Sequence, residues 1–353
     1  MTSRYPSPDL VEFCASLFGA VGVPSEAARV TASRLVEADT RGRTGHGLIR
    51  VSSYVHRLQA GGMRPDADIT VQHETAVTAQ VDGGNGLGQV VMTQATELAI
   101  EKASAEGLAW VGTVNSNHAG AAGLYAEMAA DRGLIGVYLA VANANGMPPW
   151  GGNNPLLGTN PLSIAIPTDV GPPFVLDIAT TNASHGTIKV AAREGRPMPP
   201  GWVDNVDGTP ITDPHRADEG FLVPMGGYKG SGLTVAIGLL AGVLNGAAFG
   251  ADVVDQRQDL TTPTNTGQAI LVLKPDLFVP REVVLAELRR HLAALRTSGT
   301  LDGSDVRLPG DEAARVRTDN ELRGVPIPPA LAAELSARAL ELRVDSPFNA
   351  KET

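Results

Sequence analysis

The chain has 353 residues, 43% hydrophobic and 19% charged, the balance of a soluble globular protein with room for two or more modest domains. The formal net charge is −10 and no run of Lys or Arg exceeds two adjacent residues. This argues against nucleic acid or an anionic membrane surface as a partner, but leaves room for a small anion held by local donors. Cys14 is the only cysteine, which excludes an intrachain disulfide and thiolate metal clusters and fits a reducing cytoplasm.

Residues 8–20 and 24–38 have helical periodicity, the second with Ser25 as its N-cap and Glu26 in its first turn. Positions 39–50 break that pattern with charged residues, polar residues and glycines. Apolar residues return at Leu48, Ile49 and Val51, so the pattern predicts a helix over 46–60, ended by Gly61 and Gly62. In such a helix His46 and Arg50 lie one turn apart on one face. That pairs a group able to donate a proton near neutral pH with a fork that grips a carboxylate, a combination suited to reducing a 2-oxo acid. A solvated turn with a capping histidine and a surface arginine would read the same way.

Residues 70–81 read as one or two strands, 82–88 as a glycine-rich loop and 90–106 as a helix stopped by Gly107. A buried strand over 108–114 leads into a helix capped by Asn115, Ser116 or Asn117 and running to 131. An apolar strand follows at 134–142, then an Asn/Gly/Pro loop over 143–161 and strands at 162–166 and 174–178. The Pro/Gly/Asp-rich connection 196–228 is long enough to suggest function. Residues 230–251 carry no charge and are long enough to span a bilayer. Their glycines and the central Asn245 instead predict a buried helix over 233–249. A strand at 269–273, a helix at 281–295, a polar loop over 297–329 and a helix at 330–342 complete the chain. The mix is α/β without the regular βαβ alternation of a doubly wound sheet.

The dinucleotide fingerprint GxGxxG, a Walker loop, GxSxG, HExxH and CxxC are all missing, which removes the commonest hydrolase, zinc and P-loop chemistries. Three glycine-rich junctions remain. Asn115 to Gly123 opens with polar caps and His118 after a buried strand, where free N–H groups would attract a pyrophosphate. A tightly packed helix start is the competing reading. Gly226 to Gly232 places Lys229 between glycines, suited to a phosphate. Gly151 to Pro161, with Asp177 to Thr181, gathers amides and hydroxyls at strand ends.

These segments resemble, in order and over about residues 30–325, the type 2 malate/L-lactate dehydrogenase family. Arg41-Gly42 with Gly45-His46-Gly47 and Arg50 resembles its RGxxSHGxxR. Ser116-Asn117-His118-Ala119-Gly120 resembles SxHFG, and Gly158-Thr159-Asn160-Pro161 opens its GTNPLxxAxP. Leu176-Asp177-Ile178-Ala179-Thr180-Thr181 resembles LDxATS, Pro199 to Pro214 its PxGWxxDxxGxPTTDP, and Pro224 to Gly230 its PLGGxKG. Leu308-Pro309-Gly310 matches LPGE, with Asp311 for the Glu.

The resemblance implies a non-Rossmann fold, with a helical N-terminal region and a mixed-sheet core. It implies NAD or NADP as cofactor, a small carboxylate substrate of the malate or lactate kind, and a homodimer with its active site near the subunit interface. Residues 1–115 with 270–353 would form a helical substrate and dimerisation domain, and 116–269 the cofactor domain. By position, His46 would be the proton donor and acceptor, with His118 sharing that role. Arg50 would clamp the carboxylate, and Thr159 and Asn160 would line the substrate pocket. His118, Ala119, Gly120, Ala121 and Ala122, with Asp177, Ile178, Ala179, Tyr228 and Lys229, would hold the cofactor. No metal is implied. Cyclic imino-acid reductases are a branch of the family, and a non-catalytic nucleotide-binding relative is a further alternative. Gly45 lacks the hydroxyl those reductases use beside their His, and Thr187 stands where relatives carry Lys or Asp. Both departures argue against imine reduction; Thr44 could stand in for the lost serine. His185 is a further candidate for the substrate pocket, whereas His56, His73, His215 and His291 read as ordinary surface or core residues.

Overall fold

The computed structural model describes residues 2–301 and 303–348. Its eleven strands are β1 (Ser3–Tyr5), β2 (Thr70–Gln72), β3 (Thr78–Asp82), β4 (Leu108–Ser116), β5 (Ile135–Ala140), β6 (Leu162–Ile166), β7 (Phe174–Ile178), β8 (Val203–Asp204), β9 (Phe221–Leu222), β10 (Thr266–Leu273) and β11 (Val325–Ile327). Its ten α-helices are α1 (Ser7–Gly19), α2 (Ser25–Thr40), α3 (Val51–Ala60), α4 (Gly88–Glu106), α5 (Gly123–Asp131), α6 (His185–Arg193), α7 (Tyr228–Ala241), α8 (Arg281–Arg296), α9 (Asp311–Arg323) and α10 (Pro329–Leu342). Helices α1, α2, α8 and α10 each start directly after a proline, whose ring fixes φ near the helical value. For α2 that proline is Pro24, so Ser25 is already inside the helix and makes no capping bond.

One apolar cluster joins α1, α2, α3, β11 and α10 through Leu10, Leu17, Phe18, Leu35, Val55 and Leu335. Strand β1 pairs antiparallel with β11 and ties the two chain ends together. The main sheet has the order β2-β3-β4-β10-β5-β6-β7. Only β3 and β4 run parallel; every other pair is antiparallel, so the sheet is mixed. Alternation along the strands gives it two apolar faces. Tyr138, Ala140, Ile270 and Val272 pack on α4 and α5, whereas Leu139, Val141 and Ala269 pack on Ile237 and Ala241 of α7. The sheet draws strands from both sides of residues 115 and 269. A third cluster, around Met147, Ile188, Met198 and Leu222, carries α6 and the long connection after it.

Four expected elements differ. The helix over 46–60 begins only at Val51; before it lie two single 3-10 turns, Thr44–His46 and Leu48–Arg50, with Gly47 between them. The Asp39 carboxylate causes the break: it accepts the Leu48 N–H at 2.7 Å and fills the space a side chain at residue 47 would need. The helix expected from residues 115–117 starts at Gly123, because β4 continues to Ser116 and leaves 117–122 as an extended loop. The apolar helix expected over 233–249 runs from Tyr228 to Ala241, and its end is open: Leu239 and Leu240, with Val243 and Leu244 in the 3-10 turn that follows, are all exposed. The polar region 297–329 contains α9 and β11, and α6 was not foreseen.

Candidate active site

Asp39 shapes the centre of the site from below. Because it takes the Leu48 amide, the chain folds back twice in seven residues and presents His46 and Arg50 on one side. The Arg50 Nε–H donates to the Gly45 carbonyl at 2.8 Å. The position that lacks the family serine thus supplies a backbone oxygen to the arginine. Among the described residues no carboxylate lies within ion-pair distance of Arg50, and burial disfavours its charge. A half-buried, unpaired guanidinium is costly unless an anion completes it.

His118 comes from the loop after β4. Its ring stacks on that of His46 with centroids 5.6 Å apart and planes 12° from parallel. Burial, then Arg50 and Arg43, hold His46 down to about 3; burial, Arg50 and His46 hold His118 well below the usual histidine range. Both rings are therefore neutral at pH 7, against the expectation of a histidine titrating there. The Nδ1 of His118 lies 2.5 Å from the Tyr54 hydroxyl, which is 3.0 Å from the Gln89 amide nitrogen.

Arg50, His46, His118, Ala119, Gly120 and Thr159 line a cavity of about 90 Å3 together with His185, Gln256 and Arg257. His185 begins α6, whose first turn is capped by Ser184 accepting the Thr187 N–H at 3.1 Å. Thr187 thus serves the helix cap where relatives carry Lys or Asp. The His185 Nδ1 faces the Arg257 guanidinium at 3.1 Å, and burial and Arg257 lower its pKa to about 4. Arg257 in turn pairs with Asp255 and Asp218. The loop that carries it is fastened by Arg57, whose guanidinium is fully buried and donates to the carbonyls of Asp259, Gly62 and Thr262.

A larger cleft of about 570 Å3 meets this cavity at His46, Gly120, Thr159 and Ser184. Gly42 to Gly45, Ala122, Asp177, Ile178, Ala179 and Thr187 line it. Its walls are mostly backbone and small side chains, and the α6 N-terminus opens onto it, features that suit an extended dinucleotide. Asp177 sits at the start of α5, beside Gly123 and 3.5 Å from Arg43, and burial raises its pKa.

Some expected site residues lie elsewhere. Asn160 is fully buried with both ends of its amide taken, by the Ala142 N–H at 3.0 Å and the Thr234 carbonyl at 2.9 Å, and it lines neither space. Ala121 packs with Ala38 and Leu124. Tyr228 and Lys229 are exposed at the start of α7 and line neither space, although Met225 just before them does line the cleft. Conversely, Tyr54, Gln89, Gln256 and Arg257 were not foreseen. Tyr54 could have been, since it follows Arg50 by four residues; the others have no spacing signal.

A profile of the malate/L-lactate dehydrogenase family matches residues 5–336. The chain belongs to the malate/L-lactate dehydrogenase family. It is 35% identical over 342 residues to an L-sulfolactate dehydrogenase of Methanothermobacter thermautotrophicus, covering 97% of this chain and 98% of that one. The solved sulfolactate dehydrogenase from Methanocaldococcus jannaschii superposes with a TM-score of 0.87 at 33% identity, covering 97% and 98% of the two chains. A Δ1-piperideine-2-carboxylate reductase from Pseudomonas syringae gives 0.84 at 31% identity, covering 96% of this chain and all of that one. The non-Rossmann α/β fold inferred from the motifs is therefore that of this dehydrogenase family, and the chain is an oxidoreductase.

Proposed function

We propose that this family member moves a hydride between NAD or NADP and a small 2-hydroxy or 2-oxo carboxylic acid. The observation that carries the reading is Arg50, a half-buried guanidinium without a carboxylate partner among the described residues, set beside two stacked histidines where the smaller cavity meets the larger cleft. Arg50 holds the substrate carboxylate in two-point geometry and so orients its carbonyl. The cofactor, when bound, supplies or takes the hydride. His46 and His118 handle the proton, and Thr159 borders both substrate and cofactor. Gly42 to Gly45, Gly120, Ala122 and Asp177 to Ala179 line the cofactor, and exposed Lys229, which follows the cleft-lining Met225 by four residues, takes a cofactor phosphate.

Thr187, whose short hydroxyl is held 3.0 Å from the capping Ser184 Oγ, and Gly45, which supplies only a carbonyl, favour an oxo acid over a cyclic imine. Reduction rates measured with NADH and NADPH against a panel of 2-oxo acids and Δ1-piperideine-2-carboxylate test this. Turnover of at least one oxo acid, faster than the imine, is expected; turnover of the imine alone would overturn it. We further infer a homodimer in the cytoplasm. Exposed Leu239 and Leu240 of α7, with Val243 and Leu244 of the turn after it, support a dimer, but through residues 116–269 and not through the helical chain ends to which the resemblance assigned it. No helix among the described residues is long and apolar enough to cross a membrane.

A further inference from the structure

We propose that Tyr54 positions His118 as its Nε2–H form and refills the proton that His118 gives to the substrate oxygen; this rests on the dehydrogenase reading above. The direction of the hydrogen bonds decides it. The Gly120 amide approaches the His118 Nδ1 at 3.3 Å, and a backbone N–H can only donate. Nδ1 is therefore an acceptor and carries no proton. The Tyr54 hydroxyl lies 2.5 Å from the same Nδ1 and 3.3 Å from the His118 carbonyl, so the nitrogen is its nearer acceptor and Tyr54 donates to it. Having given its hydrogen, the Tyr54 oxygen accepts from the Gln89 Nε2–H at 3.0 Å. The chain Gln89 to Tyr54 to His118 runs one way, and the ring's single proton sits on Nε2. No described residue takes that proton, and the ring lines the cavity shared with Arg50.

A neutral imidazole that loses its only proton would become an imidazolate, which is too basic to persist. Tyr54 removes that obstacle. When the carbonyl carbon accepts a hydride, its oxygen takes the Nε2 proton and Nδ1 takes the Tyr54 proton. The Tyr54 O–H bond breaks and leaves a phenolate facing the Gln89 N–H and the Arg50 charge. After product leaves, a solvent proton enters at Nε2 and the Nδ1 proton returns to Tyr54. In the oxidation direction every transfer reverses. Tyr54 is buried and acts through His118, so it is a positioning residue and does not touch substrate.

Two measurements test this. Nitrogen NMR of histidine-labelled protein at pH 7, with His118 assigned by its loss in His118→Ala, should show the Nε2–H tautomer in the wild type. In Tyr54→Phe, which keeps the ring, the tautomers should mix. Kinetically, Tyr54→Phe should lower kcat by roughly tenfold or more, within or below the usual worth of a general acid, with KM for the cofactor unchanged. The dependence of kcat on the deuterium fraction of the solvent should change from curved, two protons in flight, to linear. An Nδ1–H tautomer in the wild type, or a Tyr54→Phe enzyme with wild-type kcat and an unchanged solvent profile, would overturn the proposal. A chain that reduces no oxo acid would defeat the dehydrogenase reading while the tautomer measurement still judges Tyr54.

Discussion

Asp39 is almost wholly buried beneath the turns that carry His46 and Arg50, and burial raises its carboxyl to about 7. A carboxyl raised in the fold stays protonated while its unfolded counterpart ionises near 3.8, so its stabilisation is full below about pH 4 and fades as pH rises through 7. The buried histidines act in the opposite direction: they stay neutral in the fold while unfolded imidazoles take protons below 6.5, so acid weakens the fold. Asp39→Asn keeps an acceptor for Leu48 and removes the titration. The difference in melting temperature between wild type and variant should therefore depend on pH between 4 and 8, moving in the variant's favour as pH rises; a constant offset would contradict the buried carboxyl. His46→Ala removes the ring stacked against the proton donor His118 and should lower kcat, with cofactor binding kept, by less than the roughly 10²–10⁴ of a general acid. Arg50→Lys should mainly raise KM for the acid, because an ammonium lacks the planar fork. Steady-state kinetics and cofactor fluorescence titration check both. His46 and Arg50 were singled out by the family motif and not by their spacing, because a solvated turn with a histidine and an arginine would read the same way. Gln89 was not, because a single glutamine in the first turn of a helix has no period to betray its burial.

At the scale of elements, the strands of the main sheet were read from their apolar runs, which a helix of that length could not explain. The failures have separate physical causes. α9 has strong helix formers but no apolar stripe, and Asn320 is its only buried residue, so charge alone made it look like a loop. α6 is short, and its Ser184 cap was lost among neighbouring threonine and asparagine. Ser184→Ala should cost about 1 kcal/mol of stability and raise KM more than it lowers kcat, because the first turn of α6 borders both cavity and cleft. The helix expected at residue 46 failed because local periodicity cannot see Asp39, seven residues earlier, claiming the Leu48 amide. Gly47→Ala would drive a methyl group into that carboxylate. It should destabilise the fold by roughly 1–3 kcal/mol, as overpacking does, and a denaturant melt would measure it.

Over the whole molecule, the uncharged stretch 230–251 was expected to hold a buried helix over 233–249, but α7 ends at Ala241 and the leucines at and after its end are exposed. Hydropathy reports that a surface is apolar, not whether this chain or a second copy covers it. Leu240→Glu combined with Leu244→Glu should therefore turn a dimer into a monomer by light scattering. An unchanged mass would place the subunit contact elsewhere. Lys229→Ala should weaken NAD(P)H binding by roughly the 1.5–3 kcal/mol of one hydrogen bond to a charged group. An unchanged dissociation constant would leave Lys229 as a plain surface residue.

Strand β10 lies between β4 and β5, yet it is made about 130 residues after β5 and pairs with both along almost its whole length. Until Thr266 to Leu273 has left the ribosome, β4 and β5 are two separate open edges, and the walls that carry His118 and Tyr138 have no common frame. The sheet is closed from the middle by its late segment, so a chain cut before residue 266 would present two sticky half-sheets instead of a smaller enzyme.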